Sequence, residues 1–140
     1  MSIIDSLRDY LLTYAGLETG APLWVDYLGT ENTGYSINPI AGARIVESYI
    51  NGGSLREFPF AFQSSVSTAD DAARIGTNEF YELLADWFES QTNSGTLPIM
   101  DTGKTALSIE ALTSGYLMEQ GQSETGIYQI TCKLTYEQQP

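Results

Sequence analysis

The chain opens with an apolar pattern of helical period. Ser2 stands three residues before Asp5, which is the spacing of a capping box, and the pattern ends at Gly16. The apolar side chains that share one helical face are Ile3, Ile4, Leu7, Leu11 and Tyr14. The sequence therefore predicts a short amphipathic N-terminal helix.

The period then falls to two, as it does in strands. Residues 23–28 alternate after Pro22, which predicts a strand with both faces partly buried. Two turn signals between Gly29 and Gly42 flank a short predicted strand at 35–37. Residues 43–50 and 55–66 are rich in β-forming types and are separated by Asn51-Gly52-Gly53, so they predict a hairpin.

The second arm of this hairpin carries an aromatic stripe. Phe58, Phe60 and Phe62 have two-residue spacing and leave one face, whereas Glu57, Ala61 and Gln63 leave the other. A base-stacking platform would need surrounding positive charge, so packing under a helix is the preferred interpretation. Pro59 cannot donate to a ladder, which predicts that this strand is an edge strand or is bulged there.

A long helix is predicted after the hairpin. Residues 67–71, Ser-Thr-Ala-Asp-Asp, provide a cap and acids for the first turn, and Asn93-Ser94-Gly95 ends the helix beyond about Gln91. Its predicted apolar stripe consists of Phe80, Leu83, Leu84, Trp87 and Phe88.

The C-terminal third predicts two more strands, at 104–119 and 126–137, joined by a turn-rich connection. In the last strand the apolar face consists of Tyr128, Ile130, Cys132, Leu134 and Tyr136. The order of elements predicts an α+β fold, in which a mainly antiparallel sheet carries the N-terminal helix and the long helix. Residues 1–140 are expected to form a single domain, because the length suits one core.

The charge balance limits the partners that the protein can have. The chain has 18 acidic and 6 basic residues, a net charge of -12. Such a surface disfavours binding to nucleic acid and to anionic membranes. The N-terminal helix does not resemble a secretory signal, and no apolar run approaches the roughly 20 residues that span a bilayer. We therefore expect a cytosolic protein or a particle assembled in the cytosol.

The residue types that carry catalysis are scarce. The chain has no histidine, which removes the commonest general base and metal ligand. Thr102-Gly103-Lys104-Thr105 imitates the end of a phosphate-binding loop, but Pro98 stands where that pattern needs glycine. The carboxylate pairs Asp70/Asp71 and Glu79/Glu82 suit helix capping and a solvated face better than acid-base catalysis. Cys132 is predicted to be a buried, inert thiol. We expect no enzyme, no cofactor and no metal.

Aromatic residues near loops have two interpretations that the sequence leaves open, a protein interface or ordinary core packing. Under the first, the contact surface is the strand Phe58–Val66 or the loop Gly29–Gly42. The predicted interface residues are Trp24, Tyr27, Tyr35, Glu57, Phe58 and Gln63.

Three blocks of sequence resemble one known family. They are residues 23–29 (LWVDYLG), 52–62 (GGSLREFPFAF) and 126–137 (GIYQITCKLTYE). They are similar to the minor capsid proteins of Firmicute siphophages and prophages, which in size and element order resemble phage tail terminator, or tail completion, proteins. The resemblance implies a virion protein, assembled in the bacterial cytoplasm, without a catalytic motif.

The resemblance also implies partners. Tail terminators form a ring of identical subunits, with a hexamer as the family's pattern, between the tail-tube protein and head-completion proteins. An acidic ring would suit DNA passage, because it does not attract phosphate. A rival hypothesis is a prophage-encoded protein that binds one host bacterial protein through the same aromatic surface. A third, a small hydrolase, would need a pocket with strongly perturbed carboxylates.

Overall fold

In the computed structural model, which describes residues 2–17, 23–25, 34–40, 45–120 and 125–140, two helices pack on a mostly antiparallel sheet. The helices are α1 (Ile3–Leu11) and α2 (Asp71–Ser94). The strands are β1 (Leu23–Val25), β2 (Gly34–Pro39), β3 (Ile45–Ser48), β4 (Ser54–Ser67), β5 (Lys104–Ala111), β6 (Tyr116–Gln120) and β7 (Thr125–Gln138). The predicted α+β class is confirmed.

Two long strands form the centre of the sheet. β4 and β7 pair antiparallel without interruption from Ser54 with Gln138 to Ser67 with Thr125. β2 and β3 pair with successive stretches of the outer side of β4, and β5 and β6 do the same along β7. β1 adds in parallel to β2. Among the described residues the outermost strands are therefore β1 and β3 on one side and β5 and β6 on the other.

The prediction that Pro59 marks an edge strand or a bulge is wrong. β4 is central, and its register with β7 is unbroken at Pro59. The carbonyl oxygen of Pro59 accepts a hydrogen bond from the Ile40 amide at 3.0 Å. The nitrogen of a strand residue points to the same side as its carbonyl oxygen, so the Pro59 nitrogen points to the outer side of β4. Pro59 lies between the residues of β4 that pair with β2 and those that pair with β3. Pro59 has no N–H with which to return the bond from Ile40, and β2 ends at Pro39, opposite Phe60.

The predicted hairpin joins β3 to β4. The Tyr49 amide donates to the Gly53 carbonyl oxygen at 2.8 Å, and Gly52 has a φ of 92°, which favours glycine. The first arm ends at Ser48, two residues before the predicted end, and predicted residues 43 and 44 lie outside the described residues.

Both helix starts depend on side-chain caps. Ser2 and Asp5 form the predicted capping box of α1. The N-cap of α2 is Asp70, whose carboxylate accepts from the Ala73 amide at 2.8 Å, and Gly95 ends the helix in the left-handed conformation. Asp70 therefore works as a cap, as its position in the sequence suggested.

The apolar face of α2 differs from the prediction at one residue. Leu83 is 53% exposed, whereas Tyr81 is 1% exposed and lies in the core. The helix is oriented so that Tyr81, Leu84 and Phe88 face the sheet, with Phe80 and Trp87 at the margin of the core. A helical face centred on Tyr81, Leu84 and Phe88 leaves Leu83 farther from its centre than Phe80 or Trp87, so Leu83 points to solvent.

The core lies between the helices and one face of the sheet. Phe60 and Cys132 are fully buried, as predicted from their alternating apolar faces. The predicted apolar face of β7 is confirmed from Tyr128 to Tyr136. α1 contributes Leu7 and Leu11 to the same cluster. The two central strands and both helices therefore share one hydrophobic core.

The predicted strand at 104–119 is two strands. β5 ends at Ala111 and β6 begins at Tyr116, although both pair with β7. Gly115 lies against the ring of Tyr81, where a Cβ would come within 2.3 Å of the Tyr81 side chain. The chain between the two strands therefore passes close to this buried ring, where a larger residue than glycine would clash.

Candidate functional site

The predicted interface residues that the structure describes do not form one surface. Tyr35 is 6% exposed and its ring stacks on Phe62 and Phe80, so it contributes to the core. Phe58 is half-buried against the same core. Trp24 lies on β1, and its ring packs where a Cβ on Gly34 would come within 2.8 Å. Tyr27 lies outside the described residues.

The two remaining predicted residues, Glu57 and Gln63, lie on the face of the sheet opposite the core, here called the helix-free face because neither described helix packs on it. Gln63 accepts a hydrogen bond from the Asn38 amide group at 3.2 Å and donates to Oε1 of Gln129 at 2.8 Å. Gln129 in turn donates to the Tyr116 hydroxyl at 2.7 Å. This row of side chains crosses β2, β4, β7 and β6, and it holds those strands together from the outside.

Lys133 forms the charged centre of the helix-free face. Its Nζ lies 3.0 Å from Oε1 of Glu57 and 3.4 Å from Oε1 of Glu110. The hydrogen bond with Glu57 raises the pKa of Lys133 above its ordinary value. Glu57 therefore lies in an ion pair within the chain, on a central strand.

The sheet edges combine bulges with exposed apolar side chains. In β3, Ile45 and Glu47 pair with the consecutive residues Arg56 and Leu55, so Val46 is the extra residue of a β-bulge. The same irregularity makes Leu107 the extra residue of β5 and Met118 that of β6. All three side chains are at least 40% exposed. Each outer strand that carries a bulge therefore presents an apolar residue at the edge.

Both edges carry further exposed apolar side chains among the described residues. Leu112 and Leu117 are also exposed on the edge formed by β5 and β6, close in sequence to the bulged residues Leu107 and Met118. On the opposite side, Ile45 and Val46 of β3 are each 51% exposed. Exposed apolar residues mark contact surfaces when they form a contiguous patch, so these edges are the candidate contact surfaces.

An acidic groove separates α2 from β5 and from the β5–β6 connection. Two adjoining cavities of about 370 and 560 Å³ share Ala85, Asp86 and Ala111 in their walls. Glu82, Asp86 and Glu89 stand along the α2 side, at spacings of four and three residues that place them on one side of the helix. The described residues that line these cavities include no Lys or Arg.

A separate apolar cleft of about 490 Å³ lies between α1 and the segment that follows α2. Tyr10, Leu97 and Ile99 form its apolar walls, and Asp9 is its one charged residue. The Tyr10 hydroxyl donates to the carbonyl oxygen of Thr96 at 2.8 Å, which fixes the ring at the base of the cleft. Ile99, at 85% exposure, stands at the rim.

The chemical motifs considered from the sequence have structural roles. Thr102 and Gly103 form a turn that leads into strand β5, whereas a phosphate-binding loop leads into a helix, so the nucleotide hypothesis has no geometric support. Burial raises the pKa of the Cys132 thiol, which disfavours the reactive thiolate. In the described part of the chain, no three His, Cys, Asp or Glu side chains are grouped closely enough to hold a metal ion.

No protein-family model matches this chain, and no curated protein matches it either. Within the described ranges, no helix is both long enough and apolar enough to cross a membrane. The sequence of the chain and the geometry described above are therefore the basis for a functional proposal.

Proposed function

We propose that this chain is a non-enzymatic structural subunit of a tailed bacteriophage particle, which joins copies of itself side by side at the head–tail junction. The observation that carries the proposal is the presence of exposed apolar side chains on two opposite edges of one sheet. A ring of identical subunits has heterologous contacts, in which one patch of a subunit meets a different patch of its neighbour. Each subunit therefore needs two different, complementary patches. The edge of β3 and the edge of β5 and β6 are two different apolar patches on opposite sides of the sheet, and we propose that they contact each other.

Side chains, more than backbone pairing, form the proposed contact. Bulges interrupt a ladder and usually discourage an edge from pairing with another strand. In this chain the bulged positions carry Val46, Leu107 and Met118, so each interruption also offers an apolar group. The sequence suggested β4 or the loop Gly29–Gly42 as the contact surface, and we propose the outer strands instead. Residues 29–33 and 41–42 of that loop lie outside the described residues.

The charge distribution supports a role close to DNA without binding to it. The chain has a net charge of -12. Its long helix has acids along one side, and Arg74 is its one basic residue. Such a surface provides no counterion-release attraction for a phosphate backbone, so DNA could pass a ring of these subunits without adhering.

The proposal is tested by electron microscopy of particles made without this chain. Filled heads with unattached or overlong tails are expected if it completes the tail. Heads that leak or stay empty would place it in head completion instead. Normal, infectious particles that lack the chain would contradict the proposal.

A host-binding role is the second candidate, and the apolar cleft beside α1 favours it. A cleft with walls of Tyr10, Leu97 and Ile99 could receive an apolar side chain of a bacterial protein. The substitution Ile99→Asp separates the two functions. It should leave particle assembly intact if the sheet edges form the ring, and it should abolish host binding if the cleft is the functional surface.

A further inference from the structure

The two halves of α2 pack differently on the sheet. In the second half, Tyr81, Leu84 and Phe88 are buried and recur every three or four residues. Residues 71–79, all of which the structure describes, include none that is buried, and Ile75 is 66% exposed. Most of the stability of a helix in a protein comes from the packing of its apolar face. The first half of α2 therefore lacks the packing that stabilises the second half.

A cavity of about 300 Å³ lies between the first half of α2 and the sheet. Tyr35, Ser64 and Val66 of strands β2 and β4 line its sheet side. A Cβ on Gly76 would meet no atom within 4 Å beyond its own helix, so this position faces open space. The residues on the helix side of the cavity are all small, and they are Ala72, Ala73, Gly76 and Thr77.

Local bonds hold the first half of α2 in its helical conformation. The Asp70 carboxylate caps it, and the Arg74 guanidinium donates to the Asp71 carboxylate and to the carbonyl oxygen of Thr68. These partners are at most six positions apart in the chain, so the bonds shape the first turn without tying it to the central strands. Gly76 weakens the same half, because glycine in a helix interior is less favourable than alanine.

The second half of α2 begins with an anchor to the sheet. Tyr81 is 1% exposed, and its hydroxyl donates to the carbonyl oxygen of Tyr128 on β7 at 3.1 Å. We propose that residues 71–79 form a lid, which opens away from the sheet and closes again while α2 stays in place from Tyr81 onward. The open lid uncovers Tyr35 and Val66, an apolar surface that the closed lid covers. The lid uses neither edge of the sheet, so it does not depend on the phage assignment.

Hydrogen exchange of the folded, full-length chain tests the lid, with each backbone amide followed by nuclear magnetic resonance and corrected for its intrinsic rate. The amides of residues 75–79 should exchange at least about tenfold faster than those of residues 84–88, because they need only the local opening. A low concentration of denaturant should change exchange at 75–79 little, since the open lid exposes little new surface, and should speed exchange at 84–88. Equal protection of the two groups would contradict the lid.

Two substitutions that differ by one methyl group distinguish a lid from a helix that opens as one unit. Gly76→Ala should slow exchange at 75–79 about fivefold, because alanine favours the closed, helical state. Ala85→Gly removes the same group from the second half. It should speed exchange at 84–88 by about the same factor or more and leave 75–79 nearly unchanged. Equal acceleration of both groups by Ala85→Gly, or no slowing by Gly76→Ala, would overturn the proposal.

A cysteine in the cavity tests whether the opening uncovers the sheet. Val66→Cys should react with a thiol reagent faster than the buried Cys132 of the same molecule, because only the second thiol needs the core to open. Adding Gly76→Ala should slow the reaction at position 66 about fivefold, as it slows the exchange of the lid. If Gly76→Ala leaves that reaction unchanged, the surface is reached without movement of residues 71–79 and the proposal is wrong.

Discussion

Tyr81 and Ser64 join the long helix to a central strand through hydroxyl groups 2.6 Å apart in the protein interior. The Tyr81 hydroxyl also donates to the carbonyl oxygen of Tyr128 at 3.1 Å, so Ser64 is the donor in the first bond. The two bonds fix α2 to both β4 and β7. Burial raises the pKa of Tyr81, which keeps this hydroxyl protonated as a donor.

Tyr81→Phe should lower the free energy of unfolding by about 1 to 3 kcal/mol, because it leaves a buried serine hydroxyl without its acceptor. Denaturant unfolding measures the change. Tyr116→Phe removes a hydroxyl at the exposed end of the polar row and should cost less than about 0.5 kcal/mol. Equal losses in the two variants would contradict the buried role of Tyr81.

Phe60 is fully buried, whereas Phe58 on the same strand and face is half-buried. Phe60→Ala should therefore cost about 3 to 5 kcal/mol of unfolding free energy, as large core truncations do. Phe58→Ala serves as the matched variant and should cost clearly less. A loss below about 1 kcal/mol for Phe60→Ala would mean that the strand face is wrongly assigned.

Cys132 has a fully buried side chain, and its thiol pKa is raised by that burial. The native protein should therefore react with a thiol reagent only as fast as the protein opens or unfolds. Mass spectrometry of the labelled chain across a denaturant series gives the measurement. Rapid labelling in the absence of denaturant would contradict the burial of Cys132.

The ion pairs of Lys133 should make a small, pH-dependent contribution to stability. Because the hydrogen bond with Glu57 raises the folded pKa of Lys133, this contribution is fully present below the unfolded pKa of about 10.4 and is lost as the pH rises through the folded pKa. Lys133→Met should cost less than about 1 kcal/mol near neutral pH, since the pairs are partly exposed. The difference in unfolding free energy between the wild type and Lys133→Met should shrink as the pH rises above the folded pKa of Lys133. A difference that stays constant across this pH range in unfolding experiments would contradict the role of the ion pairs.

Alternation along the chain predicted the two central strands well. β7 has one face in the core and one face outside, so its apolar and polar residues differ at every second position. The start of α2 was also predictable, since an acid cap leaves a local signature in the sequence. In these elements the local pattern and the tertiary packing require the same residues.

The position of each strand within the sheet could not be predicted in the same way. Pro59 suggested an edge, but its nitrogen faces a part of β4 between two partner strands, which only the tertiary pairing reveals. Val46 and Leu107 look like ordinary strand residues in the sequence. A bulge depends on which residues pair across the sheet, and a single strand carries little sign of that. The contact surface proposed from the outer strands therefore differs from the surfaces that the sequence suggested.

The central claim is that the β3 edge of one copy contacts the β5 edge of the next copy, which is a head-to-tail contact between subunits. Disulfide cross-linking of Val46→Cys and Leu107→Cys tests it most directly, because buried Cys132 does not compete. Within one chain the two positions lie three strand spacings apart, about 14 Å, beyond the reach of a disulfide of about 7 Å between Cα atoms. The experiment uses concentrated protein in about 1 M salt, because the salt screens the repulsion between acidic copies.

A mixture of the two single variants should yield disulfide-linked dimers, each variant alone should yield few, and the double variant should yield a ladder of larger species. Ile75→Cys, which is exposed on α2, replaces Val46→Cys in the control mixture and should not cross-link. If neither the mixture nor the double variant cross-links above this control, or if each single variant cross-links to itself as readily as the mixture does, the head-to-tail contact is contradicted.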